Sequence, residues 1–378
     1  MRALAAACLA ALLIAAPARA GTDPADLARA AAERLNAAHA ALQQASRAPD
    51  RVKALTRTIR AYEEGLDALR EGLRRAALRE AAIRREFEAE SEKVSQLIGV
   101  MLSIQSTAGP LVLLHPGGPL GTARSGMIVA EVTPALQRQA EELRTRLEEV
   151  ALLRALQESA AGTLQAGLEG VQQARTELSQ AISNRTELPM RFVEDPQKLQ
   201  SLIDSAETLS GFASGLAELP PDAEGSAPIP DFTRARGTLP LPVSGTVLRR
   251  FMEPDAAGIA RPGLLIATRP LALVTAPWAG TLRYRGPLLD YGNVIILEPQ
   301  AGVLLVLAGM EQVYGEVGQV VPPGAPLGLM GGAEPDAGTL LLSAKNGTGP
   351  ELTETLYIEL RIGKEPVDPG EWFAETRE

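Results

Sequence analysis

The sequence predicts an α+β chain in separate domains: a long antiparallel coiled-coil hairpin followed by an all-β domain. Three observations carry this. Apolar residues recur at steps of three and four through two long stretches of the first two-thirds, which is rich in Ala, Leu, Gln, Glu and Arg. Short β-rich runs separated by Gly and Pro fill the last third. Between them lies "PPDAEGSAPIP" (residues 220–230), a linker with no packing potential.

Residues 1–20 have the pattern of a secretory signal. Arg2 supplies the positive start, "ALAAACLAALLIAA" the apolar run, and Ala18–Arg19–Ala20 the small-x-small cleavage site. That run is too short for a comfortable transmembrane span. Cys8 lies too near the start, and without a large apolar residue three positions before it, to read as a lipidation site. It is also the only cysteine, so the mature chain forms no disulfide; export without thiols fits a bacterial periplasm. Loss of Arg2 and Arg19 takes the formal charge from −9 to −11, with no basic tract to serve as a nucleic-acid footprint. Nucleic acid is therefore an unexpected partner, and the mature protein is not expected to be integral to a membrane.

In chain order, the first heptad register runs through Val52, Leu55, Ile59, Tyr62, Leu66, Leu69, Leu73, Ala76, Glu80, Ile83, Phe87, Glu90, Val94, Leu97 and Met101. Thirteen of the fifteen are apolar, which is a coiled-coil signal. Leu35, Ala38, Leu42 and Ala45 keep the same spacing upstream, and Pro49–Asp50 is expected to kink or cap the helix. After the Gly/Pro-rich connection "AGPLVLLHPGGPLGTARSG", Thr133–Pro134 has the form of an N-cap with proline at the first helical position. A second register follows from Leu136 to Ile182. Two such helices joined by a modest connection fold back most simply as an antiparallel hairpin, over residues 21–190. The two glutamates and other polar seam residues are expected to help set its register. Spacer and partner-binding arm are equally compatible with the pattern.

Residues 191–219 hold a third, shorter helix opened by Asp195–Pro196. Its apolar face is Leu199, Leu202, Ile203, Ala206, Leu209, Phe212 and Leu216, wide enough to require a packing surface. The linker is assigned to 220–235 and the β domain to 236–378, where the closely spaced runs fit a compact sandwich or barrel.

Within the β domain, "PVSG" with Phe251, then "RPGLLIAT", "APWAGTLRYRG", "YGNVIILEP", "VGQVVPPGAPLGLMG" and "LYIELRIGKEPVDPGEWF" occur in order over most of residues 237–374. Each piece alone is weak; the ordered set resembles a LytM (lysostaphin-type) peptidase domain. Enzymes of that family hold one zinc through an H-x-x-x-D motif and the second His of H-x-H. Three such ligands leave a position for a water whose pKa the metal lowers. Here the H-x-x-x-D positions fall on Arg261 and Leu265, the H-x-H positions on Thr355 and Tyr357, and a further active-site histidine on Gly309. The mature chain's only histidines are His39 and His115, both in the helical half. His115 stands in "HPGGP", but no Asp follows at the fourth position. Neither a metal nor another cofactor is expected.

A signal, a long coiled coil and a LytM domain stripped of ligands together resemble the EnvC-type murein hydrolase activators. That resemblance implies no hydrolysis by the chain itself. It implies activation of a periplasmic zinc N-acetylmuramoyl-L-alanine amidase at the division septum, with the coiled coil held by FtsEX and peptidoglycan as a further contact. The former substrate groove then binds a helix of the amidase. "LYIELR" stands where the family often has "LYFEIR", which carries Tyr357 and Arg361 over as candidate contacts. Thr355, Tyr357, Glu359 and Arg361 share one strand face, and Arg261 is a candidate by position. Residues 196–218 are a candidate restraint in or beside that groove. Two other readings stay open: an active LytM metalloendopeptidase, and a periplasmic efflux adaptor, whose lipoyl-like barrels also use "AP-x-x-G". In adaptors the hairpin interrupts the barrel, whereas here the helices precede the β domain.

Overall fold

The computed structural model describes residues 48–89, 118–183, 196–218, 231–346 and 352–374, with single positions between 33 and 44 and between 92 and 99. The signal segment, the upstream seam residues Leu35, Ala38, Leu42 and Ala45, both histidines, the far seam residues Glu90, Val94, Leu97 and Met101, and linker residues 220–230 lie outside them.

Helix α1 (Ala48–Ala89) carries Pro49 in its first turn, where the missing N–H costs nothing. Helix α2 spans Gly118–Ser183, about 99 Å at ~1.5 Å per residue. The expected N-cap at Thr133–Pro134 is therefore wrong, because Pro134 lies inside the helix. A helix this long tolerates the loss of one hydrogen bond, at a cost of about 3 kcal/mol. The local pattern alone does not distinguish the two situations.

Near the base, the described heptad residues pack as the spacing requires. Val52, Leu55, Ile59 and Leu66 of α1 are buried with Leu164, Val171 and Leu178 of α2. The helices run antiparallel, since Glu63 pairs with Arg175, Arg79 with Glu149 and Glu86 with Arg146. The polar seam residues pair with one another: Glu80 accepts from Arg154 Nε at 3.1 Å and Gln157 Nε2 at 3.2 Å. This favours one register, because a slipped hairpin loses both cross-helix bonds and leaves the carboxylate with Arg84 of its own helix alone. The seam loosens away from the base, where Leu147 is 54% exposed.

The shorter helix is in fact two, α3 (Pro196–Ser205) and α4 (Leu209–Glu218). Thr208 caps the second, its Oγ1 accepting the Gly211 N–H at 3.0 Å. The two pack closely because residue 215 is glycine; a Cβ there would lie 2.3 Å from Leu202 Cδ1.

The β domain begins earlier than the expected linker end, with a 3-10 turn Phe232–Ala235 whose Phe232 stacks on Trp372 at 4.6 Å. Its strands are β1 (Gly245–Arg249), β2 (Leu264–Thr268), β3 (Leu273–Thr275), β4 (Gly280–Pro287), β5 (Asn293–Gln300), β6 (Val303–Val313), β7 (Val320–Val321), β8 (Pro326–Met330), β9 (Glu354–Ile362) and β10 (Glu365–Val367). All pairings are antiparallel, in the order β1-β2-β9-β6-β5-β4-β7, with β8 joining β6 to β3 and β10 on β9.

Alternation gives the sheet two faces. Leu264, Ile266, Ile295, Leu297, Leu305, Leu307, Leu356, Ile358 and Leu360 point into the main core. Val294, Ile296, Leu304, Val306, Ala308 and Tyr357 point the other way and are covered by α4. A helix the sequence reading did not anticipate, α5 (Ala337–Lys345), stands between β8 and β9. Asp336 caps it, accepting from the Thr339 N–H and Oγ1, and the D-x-x-T spacing is the one signal that could have revealed it.

Candidate functional site

The site lies on the second sheet face, beneath α4. Register places Tyr357 opposite Ala308, Glu359 opposite Val306 and Arg361 opposite Leu304, so the three β9 side chains form a row flanked by apolar ones. On the other side β2 sets Leu265 opposite Tyr357. An alternating apolar–polar strand with these residues in its polar row would ordinarily turn that row to water, and in the structure it does not. Tyr357, Glu359 and Arg361 are all buried, the latter two to 1% and 2% exposure, because α4 covers them.

The row is held as one hydrogen-bonded unit. Arg361 pairs with Glu359, and Tyr357 Oη donates to the other Glu359 oxygen at 2.8 Å. Burial, followed by the neighbouring Glu359 carboxylate, pushes the Tyr357 phenol up, so it remains a donor. Two guanidinium donors also reach the covering helix: Arg361 Nη1 donates to Ser210 Oγ at 2.8 Å and Nη2 to Ser214 Oγ at 2.6 Å, while Nη2 also reaches the Lys364 carbonyl. Ser210 and Ser214 lie at i and i+4, one above the other on α4. Beside them Leu209, Phe212, Ala213 and Leu216 are buried against the sheet, with Phe212 meeting the Tyr284 ring edge-on at 4.7 Å.

A second buried ion pair, which the sequence reading missed, lies at the C-terminal end of α4. Arg283 Nη1 donates to Glu298 Oε2 at 2.9 Å, and Nη2 to the Leu216 carbonyl at 3.4 Å. Arg283 occupies the irregular step between Leu282 and Tyr284 in the β4–β5 register. A bulge of this kind has no signature in "TLRYRG" that would have announced it. A guanidinium at a helix C-terminus complements the carbonyl ends of the helix.

The remaining predicted positions separate from this row. Thr355 is on the same face but exposed, and Arg261 is exposed on the β1–β2 loop. Arg261 still acts on Tyr357 through its charge, opposing the rise of the phenol pKa. Gly309 has φ +103°, and a Cβ there would lie 2.5 Å from the Thr355 carbonyl oxygen, so this backbone accepts no histidine. The Tyr357 ring lies over Gly263, where a Cβ would sit 2.6 Å from the ring. It thus fills space between positions 261 and 265.

Zinc does not fit this donor set. A guanidinium, a leucine and a phenol held protonated replace three deprotonated N/O ligands. Among the described residues, no group of three or more His, Cys, Asp or Glu side chains could hold a metal ion.

The α4 helix combines tight burial with weak intrinsic helicity, as two of its ten residues are glycine. A Cβ at Gly211 would meet only Thr208 Oγ1, at 3.1 Å. Gly211→Ala is therefore expected to stabilise docked α4 by about 0.5–1 kcal/mol. Amide exchange across residues 209–218 should slow by roughly twofold to fivefold on the same arithmetic; faster exchange would show that the cap hydroxyl does not yield.

Residues 260–369 match Peptidase family M23. An uncharacterized protein of Neisseria meningitidis serogroup B is 24% identical over 153 residues, covering 40% of this chain and 23% of its own length. The chain thus spans less than a quarter of that relative. Among solved structures, a putative M23 peptidase from Pseudomonas aeruginosa is 16% identical, covering 49% of this chain and 64% of its own, with a TM-score of 0.32. The SpoIIQ–SpoIIIAH pore-forming complex contributes a chain 18% identical, with coverages of 36% and 92% and a TM-score of 0.29. For the catalytic domain of lysostaphin from Staphylococcus simulans the identity is 16%, the coverages 33% and 89%, and the TM-score 0.26. Among the described residues no helix is long and apolar enough to cross a membrane. The sequence match and the antiparallel sheet agree on the C-terminal part of the chain, which is a peptidase family M23 (LytM-type) domain.

Proposed function

We propose that this protein is a non-catalytic periplasmic activator of peptidoglycan N-acetylmuramoyl-L-alanine amidases, acting in septal cell-wall splitting during division. In this reading the M23 groove binds the regulatory helix of an amidase, and the helical hairpin docks on FtsEX. One observation carries it: the groove lacks the ligand residues of a zinc peptidase and has a helix of its own chain seated in it. A surface that closes over one amphipathic helix has the shape and chemistry to receive another. The intramolecular helix then acts as a restraint that a partner helix displaces.

The test is dye release from labelled peptidoglycan by the protein alone, by a purified zinc amidase alone, and by both together. Release above the amidase level only in the mixture is the expected result. Release by the protein alone would restore the peptidase reading, and no gain in the mixture, after the restraint is freed, would remove the activator reading.

A further inference from the structure

The base of the hairpin does not hang from the β domain by a linker; it is built into it. The apolar seam of the two helices continues into Leu273 of β3, Leu329 of β8, Tyr314 and Ala337, all in one buried cluster. Leu340 and Leu341 of α5 close the cluster from the side. Around it stands a ring of charge drawn from both parts. Arg175 of α2 reaches Glu63 of α1 at 3.2 Å and Glu334, in the β8–α5 connection, at 2.7 Å. Arg70 of α1 approaches Glu334 at 3.5 Å, and Asp67 pairs with Arg269. Glu63 also accepts the Leu273 backbone N–H at 3.1 Å, and Arg60 reaches the Thr275 hydroxyl.

Such a network contributes little net stability, because desolvation offsets most of the attraction. What it does supply is uniqueness of arrangement. Burial pushes the Glu63 carboxyl up, against the pull of Arg175, and pushes Arg269 down to about 10. Arg269 is tolerable in this position only while Asp67 of α1 is in place, and the Glu63–Arg175 pair within the hairpin is completed by the Leu273 N–H and Glu334 of the β domain. A sliding or swinging hairpin would strand several charges at once.

We propose that the hairpin base and the M23 domain form a single rigid body fastened by this ionic ring, and that α3–α4 is the element that moves against it. The two faces of the domain are then used separately. One is permanently occupied by the hairpin, and the other is alternately covered and opened. A signal arriving at the hairpin reaches the groove by withdrawing α3–α4, without any tilt of the β domain. That last consequence rests on the activator reading; the rigid joint itself does not.

Pulsed dipolar electron spin resonance on the full chain carrying Cys8→Ser tests it without an amidase. One label pair, at Leu152→Cys and Ile362→Cys, joins two exposed positions on the hairpin and the β domain. Another, Ser205→Cys with Ile362→Cys, reports on α3. The first pair should give one narrow distance that is unchanged when Phe212→Asp frees α4, while the second broadens. Arg175→Met should abolish the single peak of the first pair. If circular dichroism shows that Arg175→Met fails to fold, Arg70→Met combined with Glu334→Gln serves instead. A broad hairpin distance in the parent chain, a shift on freeing α4, or a peak that stays narrow without the ring would each overturn the proposal. None of these outcomes bears on amidase activation, which dye release decides separately.

Discussion

Replacing Phe212 by Asp should raise amidase activation by the isolated protein by at least an order of magnitude. Phe212 is fully buried in the groove, against Tyr284 and the floor strands. Removing such a side chain costs about 3–5 kcal/mol, and burying a carboxylate without a partner adds to that. Every ~1.4 kcal/mol is tenfold in the equilibrium between covered and open groove, so the variant is shifted by roughly 100-fold or more. The β domain itself should survive, because its main core lies on the opposite sheet face and contains no residue of α4. Deleting residues 196–218 should give the same gain. Dye release in the presence of the amidase, with amide exchange to confirm that residues 209–218 have been freed, checks both. Unchanged activation with a demonstrably open groove would mean that α4 is part of the scaffold.

The fold is legible in the sequence where its signals are repetitive. Of the first register, Val52, Leu55, Ile59 and Leu66 are buried against the second helix as their spacing suggests, and the alternation in "LYIELR" places Tyr357, Glu359 and Arg361 on one face. It is not legible where one residue serves two environments. Pro134 has the same neighbours whether it opens a helix or sits inside one. The break between α3 and α4 depends on the Thr208 cap and on Leu202 folding against Gly215, a contact between neighbouring elements that periodicity does not encode. The seam position Arg175 shows the same limit. From spacing it is a polar interruption of a coiled coil, and its real partners, Glu63 and Glu334, are 112 and 159 residues away. The strand by itself did not show that its outer row is covered, since an alternating strand has the same pattern whether water or a helix meets that row; the sign of a cover was the apolar face of residues 196–218, which needs a packing surface.

Arg361→Ala should both destabilise the domain and abolish activation, and a second variant separates the two effects. The substitution leaves Glu359 buried with only the Tyr357 hydroxyl for company. Breaking a buried pair in this way costs about 3–5 kcal/mol, whereas removing both charges is often close to neutral. The double variant Glu359→Gln/Arg361→Met should therefore recover most of the denaturation midpoint of the β domain. It should not recover activation, because the guanidinium that holds Ser210 and Ser214 is the group an incoming helix would have to engage. The same loss also weakens the seat of α4, which by itself would favour an open groove. Dye release is accordingly compared in a Phe212→Asp background, where the restraint no longer contributes. Activation that returns along with stability in the double variant would reduce Arg361 to a structural partner of Glu359. Stability without activation would place it in the contact surface.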